Sequence, residues 1–170
     1  LDLPAGGRTA RSGAVGGEGQ RHGDDRGQGL LLLGVQRAQV GTGERGLGLT
    51  QPHPEVAQLA RSIAAQHDTP GHAAHAIAIA IGDAVEYVFG VTGVHSTAAE
   101  AWEAGKGVCQ DIAHITLGAL REVGIPARYV SGYLHPSREP EVGVAVAGES
   151  HAWVEWFSGE WQGFDPTNNT

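Results

Sequence analysis

The amino-acid sequence predicts an α+β fold in which a helix carrying the chain's single cysteine at its start packs on an antiparallel sheet. Three observations carry this expectation. In residues 105–124 the apolar side chains Ile112, Ile115, Leu117, Ala119, Leu120 and Val123 recur at intervals of three and four, the period of a helix with one face in a core. After Gly124 the period falls to two. The runs 150–157 and 160–165 then meet at Ser158–Gly159, a tight hairpin signal. Helices followed by antiparallel strands segregate into separate layers, which is the α+β class.

The chain has 170 residues, enough for one domain, or one domain plus a tail. Residues 1–50 hold fourteen of its 27 glycines and no Phe, Trp or Tyr. Apolar burial there is too small to offset the entropy of ordering. This Gly/Arg-rich segment is therefore expected to be disordered or loosely attached, with a core domain over 51–170. Gly41, Gly43, Gly46 and Gly48 are not framed by a strand and a helix, and no Gly-Lys-Ser/Thr follows, so a phosphate loop is set aside. A net charge of −8 and a pI near 5.5 argue against a nucleic-acid binder, because no cluster of Lys and Arg is present to release phosphate counterions. A single cysteine excludes an internal disulfide and a cysteine zinc framework. The longest early apolar run, Leu30–Leu33, is far short of a membrane span or a secretory core. A soluble, cytoplasmic protein with neither metal nor cofactor is expected.

Taken in order, the first helix is expected from Pro54, with an acid in its first turn and Val56, Leu59, Ala60 and Ile63 on one face. Asp68–Gly71 breaks it. Residues 72–85 read as a second helix, although Ile77, Ile79 and Ile81 also alternate as in a strand. His72 and His75 stand three apart, a metal-ligand spacing, but no third ligand accompanies them and they read as surface histidines. Residues 86–94 form an extended link. Thr97-Ala-Ala-Glu100 is a capping box that opens a short helix bearing Trp102 and ending at Gly105. Gly124 stops the long helix, and strands follow over 125–134, 150–157 and 160–165, with a loop over 135–149. Alternation sets His151, Trp153 and Glu155 on one sheet face and Ala152, Val154 and Trp156 on the other.

Cys109 falls in the first turn of the long helix, just past Gly105 and Gly107. Unpaired backbone N–H groups and the positive end of the helix dipole favour a thiolate there, and a thiolate attacks carbonyls. The plain alternative is an inert buried thiol. A cysteine nucleophile needs a base, and that base needs an acceptor to orient it. His151 and Asp165 are the candidates. With the hairpin centred near 158–159, antiparallel pairing brings residue 151 opposite a residue near 166, within one of Asp165. For an oxyanion hole the backbone N–H of Cys109 is the simplest donor, and Tyr87 or Trp102 is expected as a second, unless both are core aromatics. Asp111 suits the helix dipole and needs no catalytic role, and His114, five residues past Cys109, is read as structural.

The blocks Gly-Val-Cys-Gln-Asp-Ile-Ala-His (107–114), Leu-Arg-Glu-Val-Gly-Ile-Pro-Ala-Arg-Tyr-Val-Ser-Gly-Tyr-Leu (120–134), Ser-His-Ala-Trp-Val-Glu (150–155) and Phe-Asp-Pro-Thr-Asn (164–168) resemble the bacterial transglutaminase-like cysteine peptidase family. The resemblance runs over roughly 52–169. It implies a papain-like, transglutaminase-core fold and a triad of Cys109, His151 and Asp165, the residues already reached from spacing. Members of that family often carry an N-terminal β-rich region and continue past the Asp-Pro-Thr-Asn block, so a C-terminally truncated core is expected here. The activity implied is thiol-dependent acyl transfer on a peptide or protein substrate, hydrolytic in preference to amine transfer by a transglutaminase. A catalytically silent binding or scaffold domain is the reading of a different class.

Overall fold

The computed structural model describes residues 21–22, 30–37, 48–93, 95–134, 141–144 and 146–170. Helices α1 (Pro54–Ala64), α2 (Pro70–Ala84), α3 (Ala98–Ala104) and α4 (Cys109–Glu122) precede the main strands in the chain. The sheet has five strands, β1 (Arg21–His22), β2 (Leu30–Arg37), β5 (Ala127–Leu134), β6 (Glu149–Phe157) and β7 (Trp161–Phe164), adjacent in that order and antiparallel throughout. Two short strands, β3 (Glu86–Tyr87) and β4 (Lys106–Gly107), pair in parallel just before α4. The α+β class is thus as the sequence implies.

Residues 72–84 of the stretch open to two readings are helical, and α2 starts two residues earlier at Pro70, with Val85 as its extended C-cap. Thr69 caps it, accepting from the His72 N–H, and Pro70 occupies a first-turn position where a missing N–H costs nothing. Ala73, Ala74, Ile77, Ala78 and Ile81 are buried along one side. The expected strand over 125–134 begins at Ala127, because Gly124 (φ +77°) and Ile125 close α4: the Ile125 N–H returns to the Leu120 carbonyl, and the Ile125 side chain is buried.

Within the segment expected from composition to be disordered, residues 30–37 form β2 and pair with β5, with a register shift between Leu33 and Val35. The run Leu30–Leu33, too short to span a membrane, belongs to this strand. The remainder of 1–47 lies outside the described residues, apart from β1.

Helix α4 is the centre of the molecule, touching α1, α2, α3, β5 and β6. From Asp111 to Leu120 every residue except His114 is buried, so the single apolar face read from spacing understates its enclosure. Ile112, Ile115, Leu117 and Leu120 pack in one core with Ile77 and Ile81 of α2 and with Ala152, Val154, Trp156 and Phe164 of the sheet. At Gly118 the helix meets the chain before α1 so closely that a Cβ would stand 2.3 Å from the Thr50 carbonyl oxygen. Both faces of β6 are covered, since His151 through Trp156 are all buried. On the face opposite the helical core, Glu155 is held by Arg128, its cross-strand partner, at 2.7 Å from Nε.

Candidate active site

Helices α1, α2 and α3 each have an N-cap side chain that accepts a backbone N–H: His53 for α1, Thr69 for α2 and Thr97 for α3. At α4 the N-cap is Val108, which has no side-chain acceptor. The first turn, which begins with Cys109, is not sealed by its cap and can stabilise negative charge on the sulfur or on a group beside it. The turn is nevertheless firmly placed. The Glu86 and Val88 N–H groups bond to the Gly105 and Gly107 carbonyls at 3.0 and 2.9 Å. Gly105 adopts φ +65° as it leaves α3, a conformation that glycine reaches without strain.

His151 lies near the start of β6 and is buried. Its Nε2 stands 2.6 Å from Asp165 Oδ2, and the ring lies near enough to Cys109 for the sulfur to influence its protonation. With Nε2 engaged by Asp165, Nδ1 is the ring nitrogen left for the sulfur. Burial alone would lower the imidazole pKa from 6.5, but the hydrogen bonds and charges of Asp165 and Cys109 outweigh it and push it up to about 9. The β6–β7 register pairs Val154 with Phe164, which by extension sets residue 151 opposite residue 167. Asp165 therefore shares the His151 face, one diagonal step away.

Asp165 is held on every side. Its Oδ1 accepts from the Thr167 N–H at 3.0 Å and its Oδ2 from the Asn168 amide at 2.7 Å. The backbone closes behind it, with the Asp165 N–H on the Thr170 carbonyl at 2.7 Å. This turn rests on the end of α2: a Cβ at Gly82 would stand 2.1 Å from the Pro166 carbonyl oxygen, and the Asn169 amide donates to Asp83 at 3.0 Å. Both helical and sheet layers thus fix the acid.

The two aromatic oxyanion candidates separate. Tyr87 is 54% exposed, and burial followed by the charges of Cys109 and Glu149 raises its phenol pKa. Trp102 is engaged elsewhere: its indole N–H donates to Glu55 on α1 at 3.1 Å and its ring packs on the core, the alternative the sequence left open. Tyr129, which sequence reasoning passed over, also feels Cys109; burial first, then Cys109 and Asp111, push its phenol up to about 12. The alternation of β5 was its only signal, since it sets Tyr129 on the α4 side with Ala127. His114 packs against the Tyr129 ring at 5.3 Å and burial lowers its pKa, in keeping with a structural histidine. His72 and His75 line a separate cleft of about 590 Å³ between the start of α2 and the β6–β7 turn, at the far end of β6 from His151. No group of three metal-ligating side chains occurs among the described residues.

Residues 57–166 match the model of the transglutaminase-like superfamily. An uncharacterized protein of Mycobacterium leprae is 47% identical over 120 residues, covering 71% of this chain and 43% of that protein. Another, from Mycobacterium bovis, is 36% identical over 93 residues, or 49% of this chain and 29% of its own length. Among solved structures, a "Putative Cysteine Protease" from Cytophaga hutchinsonii superposes with a TM-score of 0.57 at 26% identity, over 77% of this chain and 45% of that one. The periplasmic domain of TgpA from Pseudomonas aeruginosa, bound to ethylmercury, gives 0.55 at 27% identity, over 74% and 49%. The chain spans less than half the length of each of these proteins.

Proposed function

Because the chain belongs to the transglutaminase-like superfamily, we propose that it is a thiol-dependent acyl-transfer enzyme that hydrolyses peptide or carboxamide bonds through Cys109, His151 and Asp165. The observation that carries this reading is the position of His151, hydrogen-bonded to a buried carboxylate 2.6 Å away and close enough to Cys109 for the sulfur to raise its pKa. Its chemistry runs as follows. His151 takes the thiol proton, and Asp165 stabilises the imidazolium that results. The sulfur attacks the substrate carbonyl carbon, and the developing oxyanion is received by the Cys109 N–H, with the Tyr87 hydroxyl as second donor. His151 then gives its proton to the leaving nitrogen, the C–N bond breaks and a thioester remains. A water deprotonated by His151 attacks the thioester carbonyl; the C–S bond breaks, the carboxylic acid product leaves, and the thiolate takes back the proton from His151.

Hydrolysis is preferred over amine transfer because Cys109 is only partly buried, so water can reach the sulfur. Mass spectrometry after incubation with a glutamine-containing peptide and excess alkylamine tests the choice. Deamidated or cleaved peptide is expected. A predominant amine adduct would make the protein a transglutaminase in activity. No product at all, together with a Cys109 that iodoacetamide alkylates no faster at pH 6 than a free thiol, would leave a silent scaffold.

A further inference from the structure

We propose that Asp111 is a positioning residue of this site: its carboxylate fixes the turn that presents Cys109 and ties to it the segment that follows β3. The inference rests on the enzymatic reading above and adds a residue to it. An acid in a first helical turn is ordinarily explained by the dipole alone and stays in water. Asp111 is 1% exposed. Its Oδ2 accepts from the N–H of Val108, the residue immediately before the nucleophile, at 2.8 Å, and from the Thr92 hydroxyl at 2.5 Å. Gly107 is shaped around the same group, since a Cβ there would stand 2.7 Å from the Asp111 Cβ and 2.8 Å from Oδ2.

Burying a carboxylate is costly, and its other oxygen, Oδ1, is buried with no hydrogen-bond partner. An apolar side chain would fill the space at lower cost. What the carboxylate adds is a pair of bonds to two segments that flank the sulfur. By taking the Val108 N–H it leaves that of Cys109 for the oxyanion. Through Thr92 it holds residues 88–93, whose Phe89 and Val91 are exposed apolar side chains, against the nucleophile turn.

The cysteine is single, so alkylation by iodoacetamide reports on Cys109 alone, and the ratio of rates at pH 6 and pH 9 measures how well the folded site activates it. A purely structural cap would change the melting temperature and leave this ratio unmoved. For Asp111→Ala the ratio is expected to fall about tenfold. Asp111→Asn, whose amide oxygen still accepts from Val108, should stay within about threefold of wild type, and Thr92→Val should lose about two- to fivefold. A wild-type ratio in folded Asp111→Ala overturns the proposal and leaves the enzymatic reading standing. Should Asp111→Ala fail to fold, Thr92→Val decides, and an unchanged ratio there overturns it equally. A wild-type protein no more reactive at pH 6 than a free thiol overturns the enzymatic reading and this proposal with it.

Discussion

His151 gives the site a pH signature. Its imidazole is raised from 6.5 to about 9 in the folded chain, so the stability it contributes is fully present below pH 6.5 and is lost as pH rises through 9. Urea denaturation between pH 6 and 9 should show that loss, on the order of 1–3 kcal/mol. Asp165→Asn removes the strongest raising partner while keeping the shape of the side chain, so the same scan should be flatter and alkylation of Cys109 should need higher pH. An alkylation profile equal to wild type in a folded Asp165→Asn protein would reduce the proposed triad to a dyad. The pairing of His151 with Asp165 was legible in the sequence because a hairpin with a fixed turn leaves few ways to pair. The partner of Trp102 was not legible: Glu55 is 47 residues away on another helix, and no local pattern encodes that contact. The burial of Asp111 was equally invisible, because it depends on Thr92 and Gly107 arriving from different segments.

Among the elements, α4 shows how a packing demand overrides propensity. Glycine inside a helix ordinarily costs about 1 kcal/mol against alanine. At Gly118, however, a methyl group would meet the Thr50 carbonyl oxygen at 2.3 Å, and backbone cannot move aside as a side chain can. Gly118→Ala should therefore lower stability by about 1–3 kcal/mol, where an exposed helical glycine would gain from the same change. Thermal denaturation of the variant measures the sign. The existence of α1, α3, α4, β5, β6 and β7 followed from periodicity and caps, and the Thr97–Glu100 capping box is present in full. Strand β2 did not follow, since a glycine-rich context hides a short apolar run whose partner, β5, lies about a hundred residues later. The enclosure of α4 on several sides was also beyond reach, because a helix surrounded by small-residue helices keeps Ala and Gly where a surface helix would show polar groups.

At the scale of the whole molecule, the helical layer carries Cys109 and the sheet layer carries His151 and Asp165, the three side chains of the proposed chemistry. Each layer is useless to the proposed chemistry without the other. The contact at Gly82 joins them, with the Pro166 carbonyl oxygen 2.1 Å from where a methyl carbon would be. That helical glycine works as a seat for the turn bearing Asp165. Gly82→Ala must push the turn away and, with it, the carboxylate that aligns His151, so the variant is expected to lose reactivity of Cys109 at pH 6 along with some thermal stability. A random-mutagenesis screen for lost catalysis would accordingly recover lesions in α2, in a residue that never meets substrate, and a protein engineer grafting this site elsewhere would have to carry the seat along with the three reacting side chains.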